Sequence, residues 1–236
     1  MRGLEMSTAA IIPAAGLGVR LGGEAPKAFR EVGGDSLLVH AVRGLSAATA
    51  AGLSCFVVAV PPGTEDVVRK QLDPYVGPAE LRVVPGGAER TDSVRAALDL
   101  VPAEGIDCVL VHDAARSFVP VDVIERVVAA VLAGAPAVVP VIPVTDTIKR
   151  VDGDGVVVDT PDRSALVAVQ TPQGFEPSVL RRAHAVEGAG ATDDAMLCER
   201  LGVAVRTVEG SEDAFKVTRP RDLLLAEWIL AERGAR

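Results

Sequence analysis

To hold a polyphosphate, a protein needs backbone N–H groups that approach it closely and fixed positive charge beside them. The stretch from Ala10 to Arg30, AIIPAAGLGVRLGGEAPKAFR, offers both. An apolar run ends at Pro13, glycines follow at 16, 18, 22 and 23 with Gly33 beyond, and Arg20, Lys27 and Arg30 stand among them. The pattern predicts a buried strand opening into a long loop. It is not a P-loop, because Gly23 is followed by Glu24 rather than by a lysine. It is not the dinucleotide fingerprint either, because Gly16 and Gly18 are followed by Leu21 where a third glycine belongs. A plain surface loop would carry similar glycines, but cations at both ends of the turn favour an anion site.

A second candidate is Gly86-Gly87-Ala88-Glu89-Arg90-Thr91-Asp92-Ser93. Amides freed by two glycines beside a helix N-terminus can hold a polar ring or a phosphate, with Ser93 as a side-chain partner. The same residues also suit a simple turn and helix cap. A third candidate is Val109-Leu110-Val111-His112-Asp113-Ala114-Ala115-Arg116, which sets a carboxylate at the end of a buried strand. Two roles fit Asp113: a ligand of Mg²⁺, which takes one or two carboxylates plus phosphate oxygens, or a helix N-cap. The magnesium role is preferred, because the polyphosphate expected at the opening loop would bring the ion. His40, His112 and His184 read as structural histidines. Thr145 to Lys149, Asp162-Arg163 and Phe215-Lys216-Val217-Thr218 each pair a cation or hydroxyl with an extended segment. Neither a nucleophile elbow nor H-E-x-x-H occurs.

These residues need a frame to position them, and the periodicity supplies one. Apolar runs near Ala10, Cys55 to Val60, Leu81 to Val84, Cys108 to Val111 and Ala137 to Val141 alternate with helical patterns over Leu37 to Leu45, Val67 to Leu72, Arg90 to Leu100 and Val123 to Val131. The alternation predicts a mostly parallel, Rossmann-like α/β/α sandwich of three layers, with ligands bound beyond the carboxyl ends of the strands. After Pro143 the pattern changes: Thr147 to Val151 and Val156 to Val158, joined by Asp152-Gly153-Asp154-Gly155, read as a β-hairpin. One side of it is too apolar for solvent, which suggests an arm, over about residues 144–165, that packs on a second copy of the chain. A strand near Leu166 to Val169, helices from Pro177 and around Asp194, a strand at Val203 to Val208 and a helix from Pro220 complete a single domain over residues 1–236.

The chain has 236 residues, and its net charge of −8 repels nucleic acid and anionic lipid, so any anion must be captured by a local cluster of cations. Aromatic residues make up 3%, leaving few platforms for base stacking. Three cysteines in apolar surroundings, without C-x-x-C, read as buried thiols of a reducing cytoplasm. No signal peptide and no membrane-length apolar run is found.

PAAGLGVRLGGEAPKAF, the GG-x-ER-x-DSV run, VLVHDAAR, TDTIKR, Asp162-Arg163, QTPQGF, TDDA and FKVTRPRDL stand in the order and near the spacing of one family. From Ala10 to Ile229 the chain resembles the 2-C-methyl-D-erythritol 4-phosphate cytidylyltransferases of the non-mevalonate isoprenoid pathway. The resemblance implies the third step of that pathway: transfer of CMP from CTP to methylerythritol phosphate, with Mg²⁺ and release of pyrophosphate. By matching position it implies that Arg20 and Lys27 stabilise the reacting phosphates. It implies that Ala14, Ala15, Gly16, Gly87 and Ser93 hold the nucleotide and that Asp113 does so as the metal ligand. Thr147 and Arg163 would reach the substrate phosphate from the arm of the other subunit of a homodimer. Lys216 would complete the site, with Arg116 and Thr171 as further substrate contacts. Ala88 departs from the many members that carry a polar residue there, leaving only its backbone for the nucleotide.

This chemistry suits the residues. A phosphate monoester, with a second pKa near about 6, is already a nucleophilic dianion and needs no general base. Repulsion must instead be relieved, at roughly 4 kcal/mol per pair of unit charges about 4 Å apart in an effective dielectric of about 20. The rival readings are a ribitol 5-phosphate cytidylyltransferase and a non-catalytic nucleotide-binding regulator.

Overall fold

The computed structural model describes residues 6–16, 26–186 and 190–234. Arg20 and most of the opening loop therefore lie outside the described residues.

Strands β1 (Thr8–Pro13), β4 (Leu53–Val60), β5 (Glu80–Pro85) and β6 (Cys108–Val111) form the parallel half of the main sheet, in the order β5-β4-β1-β6. Their side chains alternate between two cores. Ala10, Ile12, Phe56 and Val58 face α1 (Leu37–Ala47), α2 (Glu65–Leu72) and α4 (Val121–Leu132). Ala9, Ile11, Cys55 and Val57 face α3 (Arg90–Leu98), α5 (Pro177–Ala185) and α6 (Asp194–Arg200). A strand covered on both faces must be apolar along its buried stretch, which is why residues 9–12, 55–60 and 108–111 read as unbroken hydrophobic runs, whereas the edge strand β5 carries Glu80 and Arg82. Ile11, Ile12 and Phe56 are fully buried, and each such side chain stabilises the fold by about 1.5–3 kcal/mol. The three-layer expectation holds.

The other half is mixed. β7 (Ala137–Pro143) pairs in parallel with β12 (Val205–Glu209) and antiparallel with β10 (Val167–Val169). Between β6 and β7 lies β11 (Gln173–Phe175), antiparallel to both, which the periodicity does not predict. Its Gly174 is a packing requirement: a Cβ there would sit 2.6 Å from Cγ1 of Val127 on α4.

Two expectations need correction. Gly33 belongs to no phosphate loop; with Gly34 it turns the small hairpin of β2 (Glu31–Val32) and β3 (Asp35–Ser36) at φ +59° and +87°, backbone that glycine adopts freely. The later hairpin is shorter than its pattern, with β8 (Arg150–Val151) facing β9 (Val157–Asp159). There Asp152 Oδ1 accepts from the N–H groups of Asp154 and Val156 and closes the turn, while residues 147–149 stay unpaired. Residues 145–160 are all exposed, including Val156, Val157 and Val158. Helix α7 (Pro220–Gly234) packs Ala226 and Ile229 on Val32, Leu37, Phe118 and Val217 as a satellite core. No helix among the described residues is long and apolar enough to cross a membrane.

Candidate functional site

The chain leaves β1 toward β4 on one side and returns through β6 on the other, so a crevice opens where the carboxyl ends of β1 and β6 diverge. Pro13, the last residue of β1, and Ala14, Ala15 and Gly16 after it line this crevice, as do Asp113, Ala114 and Ala115 after β6. The turn after β5 forms the facing wall. The Ala14 N–H donates to the Ala59 carbonyl and the Gly86 N–H to the Val60 carbonyl, each at 2.7 Å, which locks both turns to β4. Ser93 Oγ accepts from the Gly87 N–H at 3.1 Å and donates to the Glu89 carbonyl at 3.2 Å. A Cβ on Gly86 would lie 2.3 Å from the Ala15 Cβ, so the two turns touch and only glycine fits. Glu89 and Asp92 form a capping box on α3, so this segment is both a helix cap and a wall. The enclosed cleft is about 310 Å³, within the range of small-ligand sites, and Lys27 and Lys216 also line it.

Asp113 divides this cleft from a second compartment of about 240 Å³, lined by Arg116, Thr171, Gln173 and Thr192. Arg90, Asp113 and Lys216 face both. Arg90 Nε donates to Asp113 Oδ1 at 3.0 Å and Lys216 Nζ to Oδ2 at 2.6 Å. Burial opposes the Asp113 charge, but Arg90 and Lys216 outweigh it and hold the carboxyl well below the usual carboxylate range. The N-cap role has no helix to serve, since turns follow Asp113 and α4 begins at Val121. Arg90 also donates through Nη1 to Asp194 Oδ2 at 2.7 Å, and Asp194 Oδ1 lies 3.0 Å from His184 Nε2.

The structure therefore gathers Ala14, Ala15, Gly16, Lys27, Gly87, Ser93, Asp113 and Lys216 into one cleft, and Arg116 and Thr171 into its neighbour. Thr171 Oγ1 accepts from the Asp113 N–H at 3.0 Å and lies 3.2 Å from His112 Nδ1. Burial lowers the pKa of His112 to about 4, which leaves it a neutral structural group. Arg116 is committed within the chain, donating to the carbonyls of Ala214 and Val169 at 2.7 and 3.1 Å. Thr147 and Arg163 line neither compartment. Arg163 Nη1 instead donates to the Thr145 carbonyl at 2.6 Å, bracing the base of the exposed hairpin.

Sequence reasoning missed Arg90, Asp194, Gln173 and Thr192 as site residues. Arg90 was hidden by the glycines before it, which drew attention to backbone amides. Asp194 was hidden by its neighbour Asp193, which caps α6 by accepting from the Met196 N–H at 2.9 Å. The cleft can hold an anion between cations.

The family model described as 2-C-methyl-D-erythritol 4-phosphate cytidylyltransferase matches residues 8–232. The chain is similar to proteins of that name from Streptomyces avermitilis and Streptomyces coelicolor. The first is 53% identical over 234 residues, 96% of this chain and 92% of the relative. The second is 52% identical over 235 residues, 96% of this chain and 86% of the relative. Among solved structures, the Thermus thermophilus cytidylyltransferase is 38% identical at a TM-score of 0.75, with 95% of this chain and 98% of that one covered. The synthase from Anaerococcus prevotii is 27% identical at a TM-score of 0.81, with 96% and 99% covered.

Proposed function

From the premise that this chain belongs to the 2-C-methyl-D-erythritol 4-phosphate cytidylyltransferase family, we propose how its two compartments divide the reaction. The enzyme transfers CMP from CTP to 2-C-methyl-D-erythritol 4-phosphate and releases pyrophosphate. CTP occupies the larger cleft, its cytidine lying against the main chain of Ala14, Ala15, Gly16 and Gly87, with Ser93 fixing the turn by accepting from the Gly87 N–H. Methylerythritol phosphate occupies the smaller compartment beside Arg116 and Thr171. The observation that carries this reading is the row of Arg90, Asp113 and Lys216 facing both compartments, where two phosphates must meet. Lys27 and Lys216, with Arg20 from the opening loop, neutralise charge as the acceptor oxygen attacks the α-phosphate and pyrophosphate departs.

Asp113 would hold a magnesium ion carried mainly by nucleotide phosphates: it is one ionised carboxylate at the strand end, and Lys216 would have to leave its Oδ2 to make room. Among the described residues no cluster of three metal-binding side chains offers a cage of protein groups. Bound there with CTP, magnesium would add positive charge against the triphosphate. Three unpaired, buried cysteines, Cys55, Cys108 and Cys198, support a reducing cytoplasm as its location.

The acceptor phosphate is completed by a second subunit, whose arm brings Thr147 and Arg163. The exposed valines of residues 156–158, and the absence of both residues from the compartments of their own chain, support this exchange. Pyrophosphate release with CTP and methylerythritol phosphate tests the reaction, with ribitol 5-phosphate expected to give little. Mixing inactive Lys27→Ala with inactive Arg163→Ala chains tests the arm: in random twofold dimers about a quarter of wild-type sites should return. No recovery after verified subunit exchange would place Arg163 in its own chain's site.

A further inference from the structure

Asp194 touches neither compartment, yet it is 1% exposed and its carboxylate meets Arg90 on one oxygen and His184 on the other. Its placement is over-determined. Gln173 Oε1 accepts from the Ala195 N–H at 3.1 Å, and Gln173 Nε2 donates to Asp193 Oδ2 at 2.8 Å, so β11 fixes the first turn of α6 from below. Arg90 is thus clamped between two carboxylates, Asp113 and Asp194, and its side chain is 27% exposed. Lys216 is held differently: it reaches Asp113 through a single bond and its side chain is 38% exposed. Asp113 therefore has one anchored cation and one that can leave.

We propose that Asp194 is a positioning residue that acts through Arg90, keeping Arg90 on Asp113 so that Lys216 is released to the reacting phosphates. This rests on the assignment of the two compartments above. If Arg90 loses its tether, Asp113 is left to hold Lys216, and the lysine is withheld from charge that develops only in the transition state. The main-chain wall against which cytidine lies does not change. The loss accordingly falls on kcat and spares KM for CTP.

Steady-state kinetics of Asp194→Asn, Arg90→Lys, Arg90→Ala and the double variant Arg90→Ala with Asp194→Asn test this, alongside thermal melts. Asp194→Asn should lower kcat about tenfold while KM for CTP stays within about twofold. Arg90→Lys, which keeps the charge but cannot bridge both carboxylates, should show the same split and serves if the Asp194 variant folds poorly. The double variant should be no slower than Arg90→Ala, because Asp194 then has nothing to position. Wild-type kcat in a folded Asp194→Asn enzyme, a lowered melting temperature alone, a loss confined to KM for CTP, or losses that multiply in the double variant would each overturn the proposal. Wild-type enzyme that releases no pyrophosphate from CTP and methylerythritol phosphate would instead defeat the assignment on which it rests.

Discussion

The turn around Gly86 and the hairpin around Val157 both leave the same sheet as loops, and they end in opposite conditions. At the first, amides and hydroxyls find partners within the chain: Gly86 on Val60, Gly87 on Ser93, and Glu89 with Asp92. At the second, the backbone is braced by Asp152 and Arg163, but the valine side chains stay in solvent, with Val157 at 54% exposure. Burying such side chains would stabilise the protein by about 0.8 kcal/mol per methylene, so an apolar face kept exposed on a braced hairpin points to a surface awaiting cover. The turn around Gly86 is satisfied within one chain, whereas the apolar face of the hairpin is left uncovered by it.

Lys27→Ala gives the sharpest test of the self-sufficient side. Turnover should fall by about a hundredfold or more, as when one preorganised donor is removed from a charged transition state. Near-normal rates would assign that lysine another role. Gly86→Ala should come next, since its new methyl would sit 2.3 Å from the Ala15 Cβ. Overpacking of that kind costs about 1–3 kcal/mol, and calorimetric titration should show CTP binding about tenfold weaker. Val157→Lys should have the smallest effect on nucleotide affinity, within about twofold of wild type, while sedimentation should show the proposed dimer weakened. If CTP binding collapsed with the dimer, the wall would not be self-contained and the contrast would fail.

The sequence made the nucleotide half legible because its signals are local. A two-sided strand must be apolar along its buried stretch, and residues 9–12, 55–60 and 108–111 are; a carboxylate just past β6 then falls at the crevice without further information. β11 could not be read in this way. It has three residues, one of them Gly174, and it is a strand only because β6 and β7 leave a slot that its backbone fills. Asp194 was illegible for a related reason: the guanidinium that makes its burial tolerable lies 104 positions away at Arg90. The hairpin was recognised but overextended, because β-branched residues at 147 and 148 suit an extended backbone whether or not it pairs. Arg20 was singled out by its charge and lies outside the described residues.

The slot filled by β11 has a further consequence. Gln173, Gly174 and Phe175 run against Val111, Leu110 and Val109, so the strip that carries Thr171 and Gln173 enters the sheet antiparallel to β6, the strand that leads to Asp113. On the proposed assignment, donor and acceptor ligands are gripped by stretches of chain with opposite polarity and separate connections. Redesign toward a different polyol could therefore be confined to residues 169–173 and 192, leaving the grip on the base untouched.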